Sequence, residues 1–175
     1  MPPHCVVCRT PPRRHATTTT TTIVYGLACN ALSPKAAKHL YETKARPLSD
    51  PLIVHVLSAE DAIPLTNATS KMLGIFHALV ESFWPGPLTV ILPSSEMIPP
   101  IITSNSSTVA LRSPQHPTCR KVMSKVALPL AMPSANMFGH VSPTKKEHVL
   151  KDFPRGVMIV EDGDVGGSLG KREVD

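Results

Sequence analysis

Residues 128–136 read LPLAMPSAN, a short apolar run that leads directly into a polar turn. The apolar part, 128–132, is typical of a strand buried in the middle of a sheet. The turn carries Ser134 and Asn136. Because ligands of open α/β sheets bind at the carboxyl ends of strands, this hydroxyl and this amide are candidates for a phosphate, ribose or base contact. Serine and asparagine also favour turns for purely structural reasons, which is the alternative interpretation.

Strands and helices alternate on both sides of this turn. Ser33 and Pro34 are typical of a helix start, the apolar residues after them follow helical spacing, and Pro47 ends the helix. The same patterns predict strands at 52–56, 88–92, 108–111 and 157–160, and helices at 66–83, at 118–126 and from Ser142-Pro143 to 150. The alternation predicts an α/β domain with a largely sheet-based core.

The amino-terminal segment has a different composition. Residues 1–16 show no apolar periodicity and are predicted to be a disordered tail before a single domain, 17–175. The threonine run 17–22 continues into Ile23-Val24-Tyr25, and β-branched residues favour a strand here, which Gly26 is expected to end.

The four cysteines give no metal site. Cys5 and Cys8 form a C-x-x-C pair, but the sequence has no second closely spaced pair to complete a zinc site, so no metal ligand is assigned. Cys29 and Cys119 have apolar neighbours and are expected to be small core residues.

The chain is basic, with 18 Lys and Arg against 13 Asp and Glu in 175 residues. No acidic residue precedes Glu42. A basic surface suits phosphates or RNA, and a solvated basic arm is the alternative. No apolar run approaches the ~20 residues needed to cross a bilayer, so no membrane association is expected. A cytoplasmic location is predicted, and the basic, acid-free start leaves a mitochondrial one open.

Four further side chains could bind a ligand. Lys44 and Arg46 lie two residues apart at a helix end and could converge on one phosphate chain, or could only offset the helix dipole. His55 lies in an apolar strand, where a histidine is usually a core residue. Arg112 ends another strand and could clamp a carboxylate or extend to solvent at the sheet edge. No Ser-His-Asp order, phosphate-binding P-loop or H-E-x-x-H helix is present.

Seven short blocks, taken together and in order, resemble one family. They are YGLA at 25–28, KARP at 44–47, PLIVHV at 51–56, WPGPLT at 84–89, ALR at 110–112, PSAN at 133–136 and SPT at 142–144. The chain is identified by these blocks, over about residues 20–165, as resembling the YrdC-like domain family in its compact form. The resemblance implies a twisted mixed α/β sheet flanked by helices around a basic concave cavity.

The resemblance also implies an activity. Family members join L-threonine, bicarbonate and ATP into threonylcarbamoyl-AMP and release pyrophosphate, with Mg²⁺ expected as the companion of ATP. The product supplies a downstream threonylcarbamoyl transferase, which modifies the adenosine beside the anticodon in tRNAs that read codons beginning with A. By the match, ATP would be held by Lys44, Arg46, Ser134 and Asn136, and threonine by Thr21, His55 and Arg112.

The chain departs from the family pattern at three places. It reads Thr20-Thr21-Thr22-Ile23 where the family has Pro-Thr-acid-Thr, and Asp50 replaces a common asparagine near the anion site. At the end, Ser168 stands in poor register with the usual serine. An active synthase is the leading hypothesis. A catalytically weakened protein that binds tRNA or double-stranded RNA is the second, and a damaged or mis-started gene product is the third.

Overall fold

The computed structural model describes residues 6–10, 24–154 and 157–161. The strands in this part are β1 (Val6–Thr10), β2 (Val24–Asn30), β3 (Ile53–His55), β4 (Val90–Pro93), β5 (Thr108–Arg112), β6 (Leu130–Ala131) and β7 (Met158–Val160). The helices are α1 (Pro34–Lys44), α2 (Ala59–Ala62), α3 (Ser70–Phe83), α4 (Pro100–Thr103), α5 (Pro117–Val126) and α6 (Lys146–Asp152), and a 3-10 turn, Ile63–Leu65, follows α2.

The described strands form one mixed sheet in the order β4-β5-β3-β6-β2-β1-β7. The pairs β3/β5 and β1/β7 are parallel, and the other neighbouring pairs are antiparallel. The two-residue strand β6 lies in the middle, where Ala131 pairs with Val54 on one side and Cys29 on the other. The predicted α/β fold with a mixed sheet and flanking helices is confirmed.

The two faces of the sheet centre differ in burial. Val54, Leu111 and Ala131 are neighbours in register, and each is 0% exposed. Side chains alternate between the faces of a strand, so the residues between them lie on the other side. We call that side the open face; it carries Ile53, His55, Ala110, Arg112 and Leu130. Part of it is covered by α5, whose Cys119 and Met123 pack against Leu130 and Met132.

Helix α1 follows its sequence signals closely. The Ser33 side chain accepts a hydrogen bond from the Ala36 amide, and Pro34 occupies the first turn, as expected. The apolar stripe, including Leu40 and Tyr41, is buried against the sheet. The helix ends at Ala45, whose φ of 49° and ψ of 36° are left-handed. This reversal brings the end of α1 to the loop that follows β6.

The structure corrects two expectations about elements near the site. Strand β2 does not end at Gly26 but continues to Asn30, because Gly26 pairs with β1 on one side and bridges to Ser134 on the other. The last predicted helix begins at Lys146 and not at Ser142-Pro143. The Pro143 carbonyl instead accepts a hydrogen bond from the Tyr25 amide, which keeps that segment extended beside β2.

Two further differences concern the tail and the third helix. Residues 6–10, predicted to belong to a disordered tail, form strand β1 between β2 and β7, so the tail interpretation is wrong for these five residues. Helix α3 begins at Ser70, four residues later than predicted, because the Thr69 hydroxyl caps it by accepting from the Met72 amide. Cys29 and Cys119 are buried, as predicted.

Candidate functional site

The Lys44 side chain joins the two motifs that the sequence singled out. It is 1% exposed, and its Nζ donates hydrogen bonds to the carbonyl oxygens of Ser134, at 2.6 Å, and of Asn136. In the reverse direction, the Phe138 amide donates to the Lys44 carbonyl at 2.9 Å. The end of α1 is therefore bonded on both sides to residues 133–140, which we call the post-β6 loop.

The charge on Lys44 depends on its surroundings. The pKa of Lys44 is lowered to about 8, chiefly because burial disfavours the ammonium and also because Arg46 is near, while the carboxylate of Asp152 opposes the shift. With this pKa the group is mostly protonated at neutral pH, so a positive charge lies directly behind the post-β6 loop.

Arg46 lies beyond the left-handed turn at Ala45 and is engaged by residues close to it in sequence. Its Nη2 is 2.7 Å from the Asp50 carboxylate and 3.0 Å from the Pro51 carbonyl, and its Nε donates to the Asp50 carbonyl at 3.1 Å. The Arg46 side chain is 16% exposed. The carboxylate that departs from the family pattern thus pairs with Arg46, the guanidinium to which the resemblance gives an ATP contact.

Ser134 and Asn136 contribute in different ways. Ser134 bridges to Gly26 of β2 and therefore lies on the open face, because cross-strand partners point to the same side. Asn136 is buried, and its Nδ2 donates to the carbonyls of Met137 and His140, which is the turn-stabilising role that the sequence left open. Its Oδ1 is buried without a hydrogen-bond partner in the described part of the chain.

His55 is a neutral residue of the open face. It is 5% exposed, and its pKa is lowered to about 4, first because burial disfavours the imidazolium and then because Arg112 is adjacent. Its Nδ1 is 3.2 Å from the Ile53 carbonyl oxygen, and hydrogen bonds to the backbone of Ile53 and Leu130 act against the lowering of the pKa. The imidazole beside Arg112 is therefore uncharged at neutral pH.

Arg112 is held by a residue that the sequence did not single out. His55 and Arg112 are register partners on the parallel strands β3 and β5. The Arg112 Nε donates to the Thr89 hydroxyl at 2.8 Å, a charge-assisted hydrogen bond that fixes the plane of the guanidinium. Thr89 lies in the WPGPLT block, one of the seven that carry the family resemblance. Its hydroxyl was not among the predicted site groups.

The WPGPLT block is rigid for identifiable reasons. The Trp84 ring packs edge-on against Phe76, and its Nε1 donates to the Leu88 carbonyl at 2.9 Å. The Gly86 amide donates to the Ser113 carbonyl, and a Cβ at Gly86 would lie 2.2 Å from the Phe83 carbonyl oxygen. Only glycine fits there, and the block delivers Thr89 to Arg112 as a fixed support.

The two groups of residues share one face but occupy different ends of it. Leu130 is opposite His55, and the chain then continues extended along β2 to Ser134, with the Leu27 amide donating to the Pro133 carbonyl. Four residues of extended chain span roughly 13 Å. The Ser134 end, with Lys44 behind it, and the His55 and Arg112 end therefore lie at different positions along the open face. Leu130 and Met132 lie between them on the same face, where α5 covers them.

Other predicted features lie outside the described residues, among them Thr21, Cys5 and Ser168, so their assignments stay predictions. The sequence also gave no signal for Asp152, which bonds the post-β6 loop from α6 and is considered below. Within the described ranges, no group of three or more His, Cys, Asp or Glu side chains could hold a metal ion, and no helix is long and apolar enough to cross a membrane.

Comparison with known proteins identifies the family of the chain. The family model Sua5/YciO/YrdC, described as telomere recombination, matches residues 17–170. The chain belongs to the Sua5/YciO/YrdC family. Among its relatives, threonylcarbamoyl-AMP synthase from Pyrococcus abyssi is 41% identical over 140 residues, which are 80% of this chain and 40% of the relative. Threonylcarbamoyl-AMP synthase from Pseudoalteromonas atlantica is 31% identical, and the match covers 83% of this chain and 76% of the relative.

A solved structure of the family shows the same fold. The crystal structure of P. abyssi Sua5 complexed with L-threonine superposes with a TM-score of 0.77 at 37% identity, covering 89% of this chain and 42% of that one. The resemblance predicted from the seven blocks is thus confirmed. The chain spans about two fifths of the length of P. abyssi Sua5, so it corresponds to one part of that family member.

Proposed function

We propose that this chain forms an L-threonylcarbamoyladenylate synthase domain, which uses L-threonine, bicarbonate and ATP and releases pyrophosphate. The observation that carries the proposal is the shared open face: the post-β6 loop with Lys44 behind it at one end, and Arg112 beside a neutral His55 at the other. The relatives that carry the synthase name, and the family structure that contains L-threonine, support the same reaction.

The reaction has two steps. The uncharged amine of threonine forms a nitrogen–carbon bond with bicarbonate, and a water molecule leaves, which gives a carbamate. A carbamate oxygen then attacks the α-phosphorus of ATP, and the bond from that phosphorus to the bridging oxygen of the β-phosphate breaks, so that pyrophosphate departs. Displacement at phosphorus of this kind depends mainly on positioning and on neutralising charge, and it needs no nucleophilic side chain.

The side chains suit these demands. Arg112 presents a fixed guanidinium for the threonine carboxylate, with the neutral His55 beside it, and Thr21 completes this half of the site in the proposal. At the other end, Lys44 lends positive charge to the post-β6 loop, whose Ser134 hydroxyl faces the nucleotide. Asn136 contributes through the shape of the loop, because its amide donates to the Met137 and His140 carbonyls. Arg46 approaches the phosphates once it exchanges Asp50 for them.

Mg²⁺ enters this proposal as part of the substrate. It binds ATP phosphates well and usually keeps several water ligands, so it needs few protein carboxylates.

The test is pyrophosphate release by the full chain, with threonine and bicarbonate omitted in turn. Release is expected only when both are present with ATP, together with incorporation of labelled bicarbonate into an adenylate. Arg112→Gln is expected to raise the KM for threonine. The matched control is Lys121→Gln, which removes the same charge from an exposed position on α5 and is expected to change nothing.

The tRNA and the downstream transferase also belong to the proposal. The adenylate is a mixed anhydride that reacts with water, so transfer to a tRNA adenosine calls for a second enzyme nearby. Equal release of pyrophosphate with and without threonine and bicarbonate would refute the proposed synthase activity. Salt-sensitive binding of tRNA or double-stranded RNA without turnover would then identify the weakened RNA-binding relative.

A further inference from the structure

The post-β6 loop is bonded to a second helix besides α1. The Asp152 carboxylate, near the end of α6, accepts a hydrogen bond from the Met137 amide at 2.9 Å with its Oδ2. Its Oδ1 lies 3.1 Å from the Nδ1 of His140. The Asp152 side chain is 16% exposed, and its pKa is lowered by the hydrogen bonds from Met137 and His140, against an opposing effect of burial. It is therefore an ionised, largely shielded acceptor for two groups of the loop.

These contacts bracket the same residues that Lys44 holds. Lys44 bonds the carbonyls of Ser134 and Asn136, and Asp152 bonds the next amide, that of Met137. Between the two anchors, the Asn136 side chain closes the turn by donating to the His140 carbonyl. The ammonium of Lys44 on α1 and the carboxylate of Asp152 on α6 thus bind the carbonyl and the amide of the same peptide group, between Asn136 and Met137.

We propose that Asp152 is a positioning residue for ATP: by holding the Met137 amide and the His140 ring, it fixes the post-β6 loop and keeps Ser134 on the open face. This inference rests on the proposed function, since it takes that loop to be the nucleotide side of the site. Asp152 does not touch ATP in this proposal. It acts through the loop and through the charge of Lys44.

Asp152 also affects the charge of Lys44, because its carboxylate raises the pKa of the Lys44 ammonium. The charged groups around Lys44 are Arg46, which lowers its pKa, and Asp152, which raises it; those around Asp152 are His140 and Lys151, both of which favour the carboxylate. Removing the Asp152 charge therefore lowers the pKa of Lys44 below about 8. Lys44 then loses its proton at a lower pH, and the alkaline limb of ATP binding moves toward acid.

The experiment measures equilibrium binding of ATP to the full chain across a pH series, with steady-state kinetics beside it. In Asp152→Asn we expect a dissociation constant for ATP that is about tenfold larger, because a charge-assisted hydrogen bond is lost. The alkaline limb of binding is expected at lower pH, with the KM for threonine unchanged. Asp152→Glu keeps the negative charge, so the pH above which ATP binding weakens is expected to return toward the wild-type value. This should hold even if the longer side chain bonds the post-β6 loop less well.

Glu147→Gln is the matched control. It removes the same charge from an exposed position on α6, outside the site, and is expected to leave affinity and pH profile as they were. Melting temperatures of all variants are recorded without ATP. An Asp152→Asn protein with unchanged ATP affinity and pH limb would overturn the proposal, as would one whose threonine KM rises as much as its ATP constant. Because ATP binding is measured directly, a wild type that binds ATP but makes no adenylate refutes the proposed reaction and leaves this test intact.

Discussion

Replacing Thr89 by valine removes the hydroxyl that receives the Nε–H of Arg112, while the volume of the side chain is nearly kept. The bond is 2.8 Å long and charge-assisted, and such bonds contribute about 1.5–3 kcal/mol. Arg112 is only half-buried, so water can partly replace the lost acceptor and the lower end of that range applies. About 1.4 kcal/mol corresponds to a tenfold change in an equilibrium constant.

We therefore expect Thr89→Val to raise the KM for threonine about tenfold, because the guanidinium that faces the carboxylate is no longer fixed. The assay is pyrophosphate release at saturating ATP and bicarbonate with threonine varied, and then the reverse with ATP varied. The KM for ATP should stay within error, since Thr89 lies at the other end of the open face. Thr89→Ser keeps the hydroxyl and is the control that should retain wild-type kinetics. Equal threonine KM values for the valine and serine variants, or an equal rise for ATP, would refute the reasoning.

Three further predictions concern stability, measured as the free energy of unfolding in urea. The pKa of His55 is about 4 in the folded protein and near 6.5 in the unfolded chain, so between these pH values the unfolded state binds more protons. The free energy of unfolding should therefore fall by on the order of 3 kcal/mol as the pH drops from 6.5 to 4, and His55→Gln should remove most of this pH dependence. Ala45→Gly should stabilise the protein by about 0.5–1 kcal/mol because glycine adopts the left-handed conformation without strain, and an unchanged value would count against strain at this turn. Gly86→Ala should destabilise it by about 1–3 kcal/mol because its Cβ would meet the Phe83 carbonyl, and wild-type stability would contradict the clash.

The elements of the fold that could be predicted from the sequence are those whose structure is decided by neighbouring residues. Helix α1 could be predicted because its cap, its proline and its apolar stripe all act within a few residues of one another. Prediction failed where a distant strand decides. Gly26 looks like a strand breaker, but it pairs with β1 on one side and bridges to Ser134 on the other, and these contacts outweigh its weak propensity. Pro143 looks like a helix start, but its carbonyl is taken by Tyr25.

The site divides in the same way. Residue types and spacing left Lys44 and Ser134 ambiguous, and only their order among seven blocks joined them to one family. Neither line of reasoning could show that the ammonium of one bonds the carbonyl of the other, because 90 residues separate them. Thr89 and Asp152 were missed for the same reason, because each acts through groups that only the fold brings near. Thr89 contacts Arg112, and Asp152 contacts the post-β6 loop.

The central position of β6 bears on how the protein comes into being. Strands β2 and β3 are synthesised early, yet they are not neighbours in the sheet; the place between them belongs to Leu130 and Ala131. Such long-range pairing folds slowly, because a large loop must close before any bond rewards it. Until β6 is inserted, both flanking strands present unpaired edges, which are open to pairing with other chains. A nascent chain shorter than about 130 residues thus exposes these two edges beside the position at which the post-β6 loop will later begin.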